Sequence, residues 1–386
     1  MILSVIIVNF NVKYFLEQCL HSVEASLERL GKREDSEVIV VDNLSTDGSL
    51  EYLQKRFAFV RWIGNKSNAG FAVANNQALK LAKGKYIVFL NPDTILSEDS
   101  LSVCLRFSEA RLDLGAAGVR MIDGHGSFLK ESRRGYPSPW VGFCKLSGLA
   151  TLFPHSRFFA GYYLGHLSEH RSHPAPILSG AFFWTRREVL DKTGGFDERF
   201  FMYAEDIDLS YRIGQAGYVN YYIADTTIIH FKGESTRKDM RYTRTFYKAM
   251  SQFRRKYASG GRAYFTDILI QAGIGIRGVL AGIGNMVRSR AEMTRTDGTA
   301  AGAAVWLQGD PVEVERVRAR LVAKGVAVAG VGAGAGEIIL CQGSAFTFGQ
   351  CISTVQQGVG RVWKIHAAGS DSIAGSGSQT DLFVLE

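Results

Sequence analysis

The feature that most limits the fold of this chain is a set of four short apolar runs, each followed by a polar cluster containing Asn or Asp. Ile2–Val8, Glu37–Val41, Phe59–Ile63 and Tyr86–Leu90 are short, bounded by polar turns and rich in β-branched and aromatic side chains, so they read as strands. Helical stretches lie between them. Residues 12–30 place Leu16, Cys19, Leu20, Val23, Leu27 and Leu30 at helical spacing, and Phe71–Ala82 is rich in Ala and Leu. Buried strands alternating with helices predict an α/β fold, a mostly parallel sheet covered on both faces. Ligands bind such sheets beyond the carboxyl ends of the strands. Polar clusters fall there: Asn9–Asn11, Asp42–Gly48, Asn65–Gly70 and Asn91–Thr94. Asn, Asp and Gly also build ordinary turns, so no single cluster identifies a site.

The rest of the chain divides by composition. Residues 135–176 carry most of the prolines and many aromatics without a period, and read as an irregular excursion over the site face. Ile177–Thr185 is strand-like, Ala204–Gly217 helix-like, and Thr226–His230 a short strand. From Thr236 to Arg290 there are twelve Lys or Arg against two acids, whereas residues 301–386 carry six basic and seven acidic side chains. The net charge of +8 therefore belongs to one segment, and the chain as a whole is no nucleic-acid-binding polycation. Residues 263–288 are apolar but hold five Gly, Asp267, Gln271, Arg277 and Arg288. Those residues make spanning a bilayer costly, and an interfacial helix on anionic headgroups fits better. A helical hairpin packed on the rest of the chain and a homodimer contact are the alternatives. After a linker at 291–303 the pattern restarts from Ala304 as strand, helix (311–324), two strands, helix (346–357) and strand. The expected division is 1–235, a basic helical segment at 236–290, the linker, and a small α/β domain at 304–386. The five cysteines are odd in number and form no CxxC, which argues against a disulfide framework and for a reducing, cytoplasmic setting. The opening MILSVIIVNFN has no basic n-region and reads as a strand, not a signal peptide.

Taken together the clusters form an ordered series: VIIVNFN, VIVVDNLSTDGS, NKSNAGFAVANNQAL, KGKYIVFLNPDT, LSGAFFWTRREVLDKTGGFDERFFMYAEDIDLSYRIGQAGY and IIHFKGEST. This series resembles the family 2 glycosyltransferases, and within them the bacterial rhamnosyltransferase-like branch, over roughly residues 1–240. The resemblance implies a GT-A fold, a nucleoside diphosphate sugar donor, a divalent metal, and inversion at the anomeric carbon. It leans towards dTDP-rhamnose as donor and a glycan or lipid-linked acceptor in cell-surface polysaccharide synthesis. A lipid-linked acceptor would set the enzyme peripherally at the inner face of the membrane.

The resemblance assigns roles that the chemistry supports. Asn9, Asp42, Asn68, Gly70, Asn76, Asn91 and Asp93 fall on the donor side. Asp42 ends a buried strand and can accept from a base N–H. Asn68 and Asn76 flank the helix start at Gly70, where amides and free N–H groups suit ribose and phosphate oxygens. Asn76 reads equally well as a buried structural amide. Most members carry Asp-x-Asp after the fourth strand; here it is Asn91-Pro92-Asp93, leaving one carboxylate. One carboxylate suffices for Mg²⁺ or Mn²⁺ when substrate phosphates and waters complete the shell, and His230 matches the later metal ligand. Asp206 is the expected general base, with Glu205 its nearest rival; Asp208 and Arg212 read as a structural i, i+4 ion pair. Gly180, Ala181 and Trp184 fall on the acceptor side, Trp184 as a stacking face for a sugar. His166, His170 and His173 lack standard zinc spacing and cysteine partners, and read as a surface loop. Gly332-x-Gly334-x-Gly336 precedes a strand, not the helix a phosphate loop requires, and Gly369–Ser378 reads as a flexible loop. The rival readings are a sugar nucleotidyltransferase, which would carry a Gly-rich basic loop where Asn9-Phe10-Asn11 stands, and a non-catalytic nucleotide- or glycan-binding module.

Overall fold

The computed structural model describes residues 1–232, 249, 251–257, 304–329, 337–375 and 383–385. The four apolar runs are strands β1 (Leu3–Asn9), β2 (Ser36–Asp42), β3 (Val60–Gly64) and β4 (Tyr86–Leu90), paired in parallel in the order β3-β2-β1-β4. Then come β5 (Thr94–Ile95), β6 (Leu114–Ile122), β7 (Arg133–Arg134), β8 (His173–Pro174), β9 (Ile177–Leu178), β10 (Phe182–Arg186) and β11 (Val219–His230). The sheet continues β4-β10-β6-β11-β5, with β8 beside β11, while β7 and β9 form a ladder of their own. β10 runs antiparallel to both β4 and β6, and β11 is parallel to β6. The strand-like stretch 177–185 is thus two strands: Ser179-Gly180-Ala181 leaves one ladder and enters another.

Helices cover both faces. They are α1 (Lys13–Leu30), α2 (Ser49–Arg56), α3 (Phe71–Leu81), α4 (Ser100–Glu109), α5 (Pro139–Leu146), α6 (Leu149–Leu152), α7 (Arg187–Thr193) and α8 (Glu205–Gln215). Alternate residues of β1 serve the two sides. Leu3, Val5 and Ile7 pack with Leu16, Leu20, Leu53 and Leu101 of α1, α2 and α4; Ile6 and Val8 pack with Ala74, Ala78, Leu190 and Leu209 of α3, α7 and α8. Full burial of each such side chain is worth about 1.5–3 kcal/mol. The last turn of α1 closes at Gly31, whose φ of 66° is the left-handed cap that favours glycine.

Residues 304–385 build a second sheet from β12 (Val305–Gly309), β13 (Val328–Ala329), β14 (Glu337–Cys341), β15 (Trp363–His366), β16 (Ser372–Gly375) and β17 (Phe383–Val384), with α9 (Pro311–Ala323) and α10 (Phe348–Gln357). Its order is β13-β12-β14-β15-β16-β17; the first four strands are parallel and the last two antiparallel. The loop expected at Gly369–Ser378 is corrected over its described part, because Ser370 and Ser372 are fully buried and Ser372–Gly375 is a strand. Their hydroxyls are satisfied across the contact between the two sheets. Gln18 Nε2 donates to Ser370 Oγ at 3.0 Å and to Ser372 Oγ at 3.1 Å, Ser372 Oγ donates to Glu17, and Ala367 N donates to Gln18 Oε1 at 2.7 Å. Around this polar seam one apolar cluster holds Val12, Phe15, Ile95, Ile122 and Ile229 together with Leu340, Phe348, Ile352 and Ile365. α1 is therefore packed between the two sheets.

Most of the basic segment at 236–290, all of the linker at 291–303 and the glycines 332–336 lie outside the described residues. Residues 251–257 are helical. Phe253 joins Phe200 and Ile207 in a core cluster, and Lys256 pairs with Asp197 at 2.6 Å and Asp208 at 2.5 Å. No helix among the described residues is long and apolar enough to cross a membrane. All five cysteines are buried and free.

The contact between the sheets yields a test. Glu98, two residues before α4, accepts from Phe348 N at 2.6 Å and Gly349 N at 2.9 Å, completing the N-terminal turn of α10 across the interface. Glu98→Ala is expected to destabilise the protein by roughly 1–2 kcal/mol. Chemical denaturation checks this, and limited proteolysis should show cleavage entering residues 304–386 first.

Candidate active site

The carboxyl ends of β1, β2, β4, β9 and β11 converge on one face. At the ends of β1 and β2, Asn9, last in β1, donates to Asp42 Oδ1 at 2.8 Å and Ser45 Oγ at 3.0 Å, and Ser45 N donates to Asp42 Oδ2 at 2.9 Å. Asp42 is thus rigidly set, as its place at the end of a buried strand requires. Asn43 supplies the next link, a residue that nothing in its local sequence singles out. Its Nδ2 donates to Asn68 Oδ1 at 2.9 Å, while its Oδ1 accepts from Asn65 Nδ2 and Ala69 N, both at 3.1 Å. Asn68 Oδ1 also accepts from Gly70 N at 3.0 Å. Gly70 has φ 85°, and a Cβ there would stand 2.7 Å from the Phe201 carbonyl oxygen, so only glycine fits between α3 and the loop before α8.

Two assignments are corrected. The Asn76 amide is spent on the turn before Phe196, donating to Phe196 O at 2.8 Å and accepting from Phe196 N at 2.9 Å, which withdraws it from the donor set. Trp184 offers no face to a sugar. It is fully buried in the middle of the sheet, its ring 5.3 Å from that of Tyr86. Inside β10 it follows the strand alternation into the core, which its exposed-looking motif does not reveal.

The remaining residues form a continuous series. Asp206 Oδ2 accepts from Gly180 N at 3.1 Å and from Arg134 Nη2 at 2.5 Å; its Oδ1 accepts from Ile207 N at 2.7 Å. One residue on from Gly180, Ala181 O accepts from Asn91 N at 2.9 Å. The Asn91 amide lies 3.4 Å from His230 Nε2, and that nitrogen lies 3.3 Å from Asp93 Oδ1. β5 and β11 fix this last pair by placing His230 opposite Thr94. Arg134 is the second residue with no warning in the sequence, since its partner is 72 positions away. Asp208 and Arg212 do form their ion pair, at 2.7 Å.

Two kinds of stored cost mark this face. Asn9 Oδ1, Asp93 Oδ1, Glu205 Oε2 and His230 Nδ1 are buried without a hydrogen-bond partner, each a penalty a folded protein normally avoids. Left-handed backbone at non-glycine residues is concentrated at its edges: Asn11, Leu44, Tyr203, Ala204 and Lys232. Burial, and after it the charge of Asp206, push the Glu205 carboxyl up to about 8. Near neutral pH Glu205 thus holds its proton while Asp206 accepts hydrogen bonds from a guanidinium and two backbone N–H groups.

Asp93 and His230 suit a divalent cation. Asp93 Oδ1 faces His230 Nε2 at 3.3 Å without a hydrogen bond, His230 Nδ1 is buried without one, and the pair is one hard carboxylate and one imidazole. Among the described residues no cluster of three or more His, Cys, Asp or Glu could hold a metal, so phosphates and water would complete the shell.

The sequence model of glycosyl transferase family 2 matches residues 4–194. The chain is 29% identical over 249 residues to an N-acetylglucosaminyl-diphospho-decaprenol L-rhamnosyltransferase of Mycobacterium tuberculosis, covering 62% of this chain and 78% of that one. It is 25% identical over 224 residues to the rhamnosyltransferase WbbL of Escherichia coli K12, covering 56% and 80%. A solved mannosyltransferase from Pyrobaculum calidifontis, in complex with GDP-Man and Mn²⁺, aligns at 18% identity and a TM-score of 0.49 over 76% of this chain and 81% of that one.

The raised Glu205 carboxyl has a measurable consequence. Between its ordinary value of 4.5 and about 8, the folded state keeps a proton that the unfolded state releases, so this group's contribution to stability is lost as pH rises through that window. Glu205→Gln removes the effect. The melting temperature of the variant relative to wild type is expected to climb by a few degrees from pH 5 to pH 8 and then level off, as differential scanning calorimetry would record.

Proposed function

The chain belongs, through its N-terminal domain, to the family 2 glycosyltransferases of the rhamnosyltransferase-like branch, and from that premise we propose an inverting transfer from a nucleoside diphosphate sugar to a lipid-linked glycan in cell-surface polysaccharide synthesis. The observation that carries this reading is the unbroken series Asp206–Gly180–Ala181–Asn91–His230–Asp93, which joins a carboxylate to a cation-suited pair through the backbone of one strand junction. The donor is read as dTDP-rhamnose, following the rhamnosyl activity in the names of the mycobacterial and E. coli relatives. The lipid-linked acceptor follows the diphospho-decaprenol in the first of those names.

Asp42, set by Asn9 and Ser45, accepts from the base, and the Asn43–Asn68 amides with the start of α3 serve the ribose and phosphates. Gly180 and Ala181 let the acceptor approach the backbone closely. Its hydroxyl attacks the anomeric carbon as the bond to the diphosphate breaks on the opposite side, and Asp206 takes the hydroxyl proton. Arg134 fixes the carboxylate rotamer. Glu205, neutral beneath it, keeps a second negative charge away from the incoming oxygen. Asp93 and His230 would hold Mg²⁺ or Mn²⁺, which supplies positive charge to the departing diphosphate.

Asp206→Asn is expected to lower transfer by roughly 100- to 10,000-fold with donor affinity within a few-fold of wild type, whereas Glu205→Gln keeps most of the rate. A radiolabelled transfer assay beside calorimetric donor titration checks both, and the opposite ranking would exchange the two roles. Excess chelator is expected to stop transfer. Asp93→Ala or His230→Ala should weaken cation-dependent donor binding by at least on the order of tenfold; full activity in chelator would remove the metal from the scheme.

A further inference from the structure

The excursion at 135–168 holds an aromatic face that the transfer reaction does not use. Leu152 is 70% exposed, Phe158 64%, Phe153 46% and Trp140 36%. The aromatic rings adjoin one another in tilted and edge-on contacts: Trp140 to Phe158 at 4.9 Å, Phe158 to Phe159 at 5.1 Å, and Phe153 to Phe159 at 5.2 Å. Among the described residues the exposed large aromatics are Tyr136, Trp140, Phe153, Phe158 and Phe201, so four of the five lie here. A scattered exposed apolar residue is ordinary, whereas a contiguous patch marks an interaction surface.

The charge of the same segment narrows the partner. From residue 132 to residue 168 there is no Asp or Glu; Arg157 stands exposed in that span, Lys145 lies 3.6 Å over the Tyr162 ring, and Glu131, just before the span, is paired with Lys232. Aromatic side chains at an apolar face, with an exposed Arg157 and no acid within the span, suit the headgroup boundary of an anionic bilayer. The patch is also tied to the acceptor end of the site. Gly135 N donates to Tyr162 O at 3.0 Å, the neighbouring Arg134 pairs with Asp206, and the Tyr136 ring lies 5.8 Å from that of Tyr211 on α8.

We infer that the aromatic face of α5, α6 and residues 153–159 seats the enzyme on an anionic lipid bilayer beside the acceptor end of its active site. This is a different surface from the basic segment at 236–290. It deepens the lipid-linked acceptor reading above, and the test keeps the two apart because vesicle binding is measured without donor or acceptor.

Full-length protein is sedimented with phosphatidylglycerol–phosphatidylcholine vesicles and with phosphatidylcholine vesicles alone, at low and high salt. Wild type is expected to bind the anionic vesicles more strongly, and more so at low salt. Leu152→Ser/Phe158→Ser should lower partitioning at least about tenfold, and Arg157→Glu should weaken only the salt-sensitive part. Both variants should melt as wild type does and transfer normally to a short water-soluble acceptor. Wild type remaining in the supernatant, or the double variant binding as wild type does, overturns the inference. So does a lowered melting temperature in the double variant, which would mean that the chain itself covers this face. A wild-type dimer made monomeric by the double variant, with vesicle binding unchanged, would assign the face to a second copy. Failure of wild type to use any glycan acceptor would instead strike the transfer reading and leave the vesicle result standing.

Discussion

The insertion of β10 antiparallel between β4 and β6 is the constraint on which the rest of the site depends. Phe182, Phe183 and Trp184 are fully buried there, so the strand cannot slide without exposing all three. Its pairing with β4 fixes Phe182 opposite Leu90, and the next hydrogen bond along joins Ala181 to Asn91. The same register places Gly180 one residue before the ladder, where its N–H meets Asp206. A carboxylate on α8 and a histidine at the end of β11 are thereby referenced to one strand, though they are far apart in the chain.

The electrostatics follow from that packing. Two adjacent acids at a helix start would ordinarily both be charged and favoured by the helix dipole. Here Gly180 N and Arg134 engage one of them, and burial without a partner raises the pKa of the other. The pair is differentiated by surroundings alone. At the ends of β1 and β2 the same economy of charge holds: Asn9, Asn43, Asn65 and Asn68 order the strand ends with neutral amides, leaving Asp42 as the carboxylate among them.

Much of this was legible in the sequence wherever the signal was local. Tyr86–Leu90 has the bounds its apolar run predicts, and the other three runs lie within a residue or two of theirs. Leu114–Ile122 was missed because LGAAGVRMI is poor in β-branched residues; it is a strand because both its faces are buried by other elements. Thr226–His230 reads as a strand, but β11 reaches back to Val219 through VNYYIAD, where the buried Asn220 Nδ2 donates to Pro176 O and Ser210 O. Ser370 and Ser372 looked like loop residues because their partners on α1 lie some 350 positions away. Arg134 and Asn43 were hidden for the same reason: their roles are defined by contacts that no short window of sequence contains. Trp184 and Asn76 erred in the other direction, since a motif fixes position along the chain but not which way a side chain points.

The placement of α1 between two sheets also sets an order of events during synthesis. Gln18 emerges from the ribosome roughly 350 residues before Ser370 and Ser372, which at about 5–20 residues per second is a wait of some tens of seconds. Once β11 has emerged, roughly 140 residues before Ser370, the first sheet can be complete while Phe15, Ile95, Ile122 and Ile229 have nothing over them from the second. Glu17 and Gln18 stand beside this apolar area and remain hydrated until their serines arrive. The polar seam therefore sets two hydrophilic side chains beside that apolar surface before it joins the two halves.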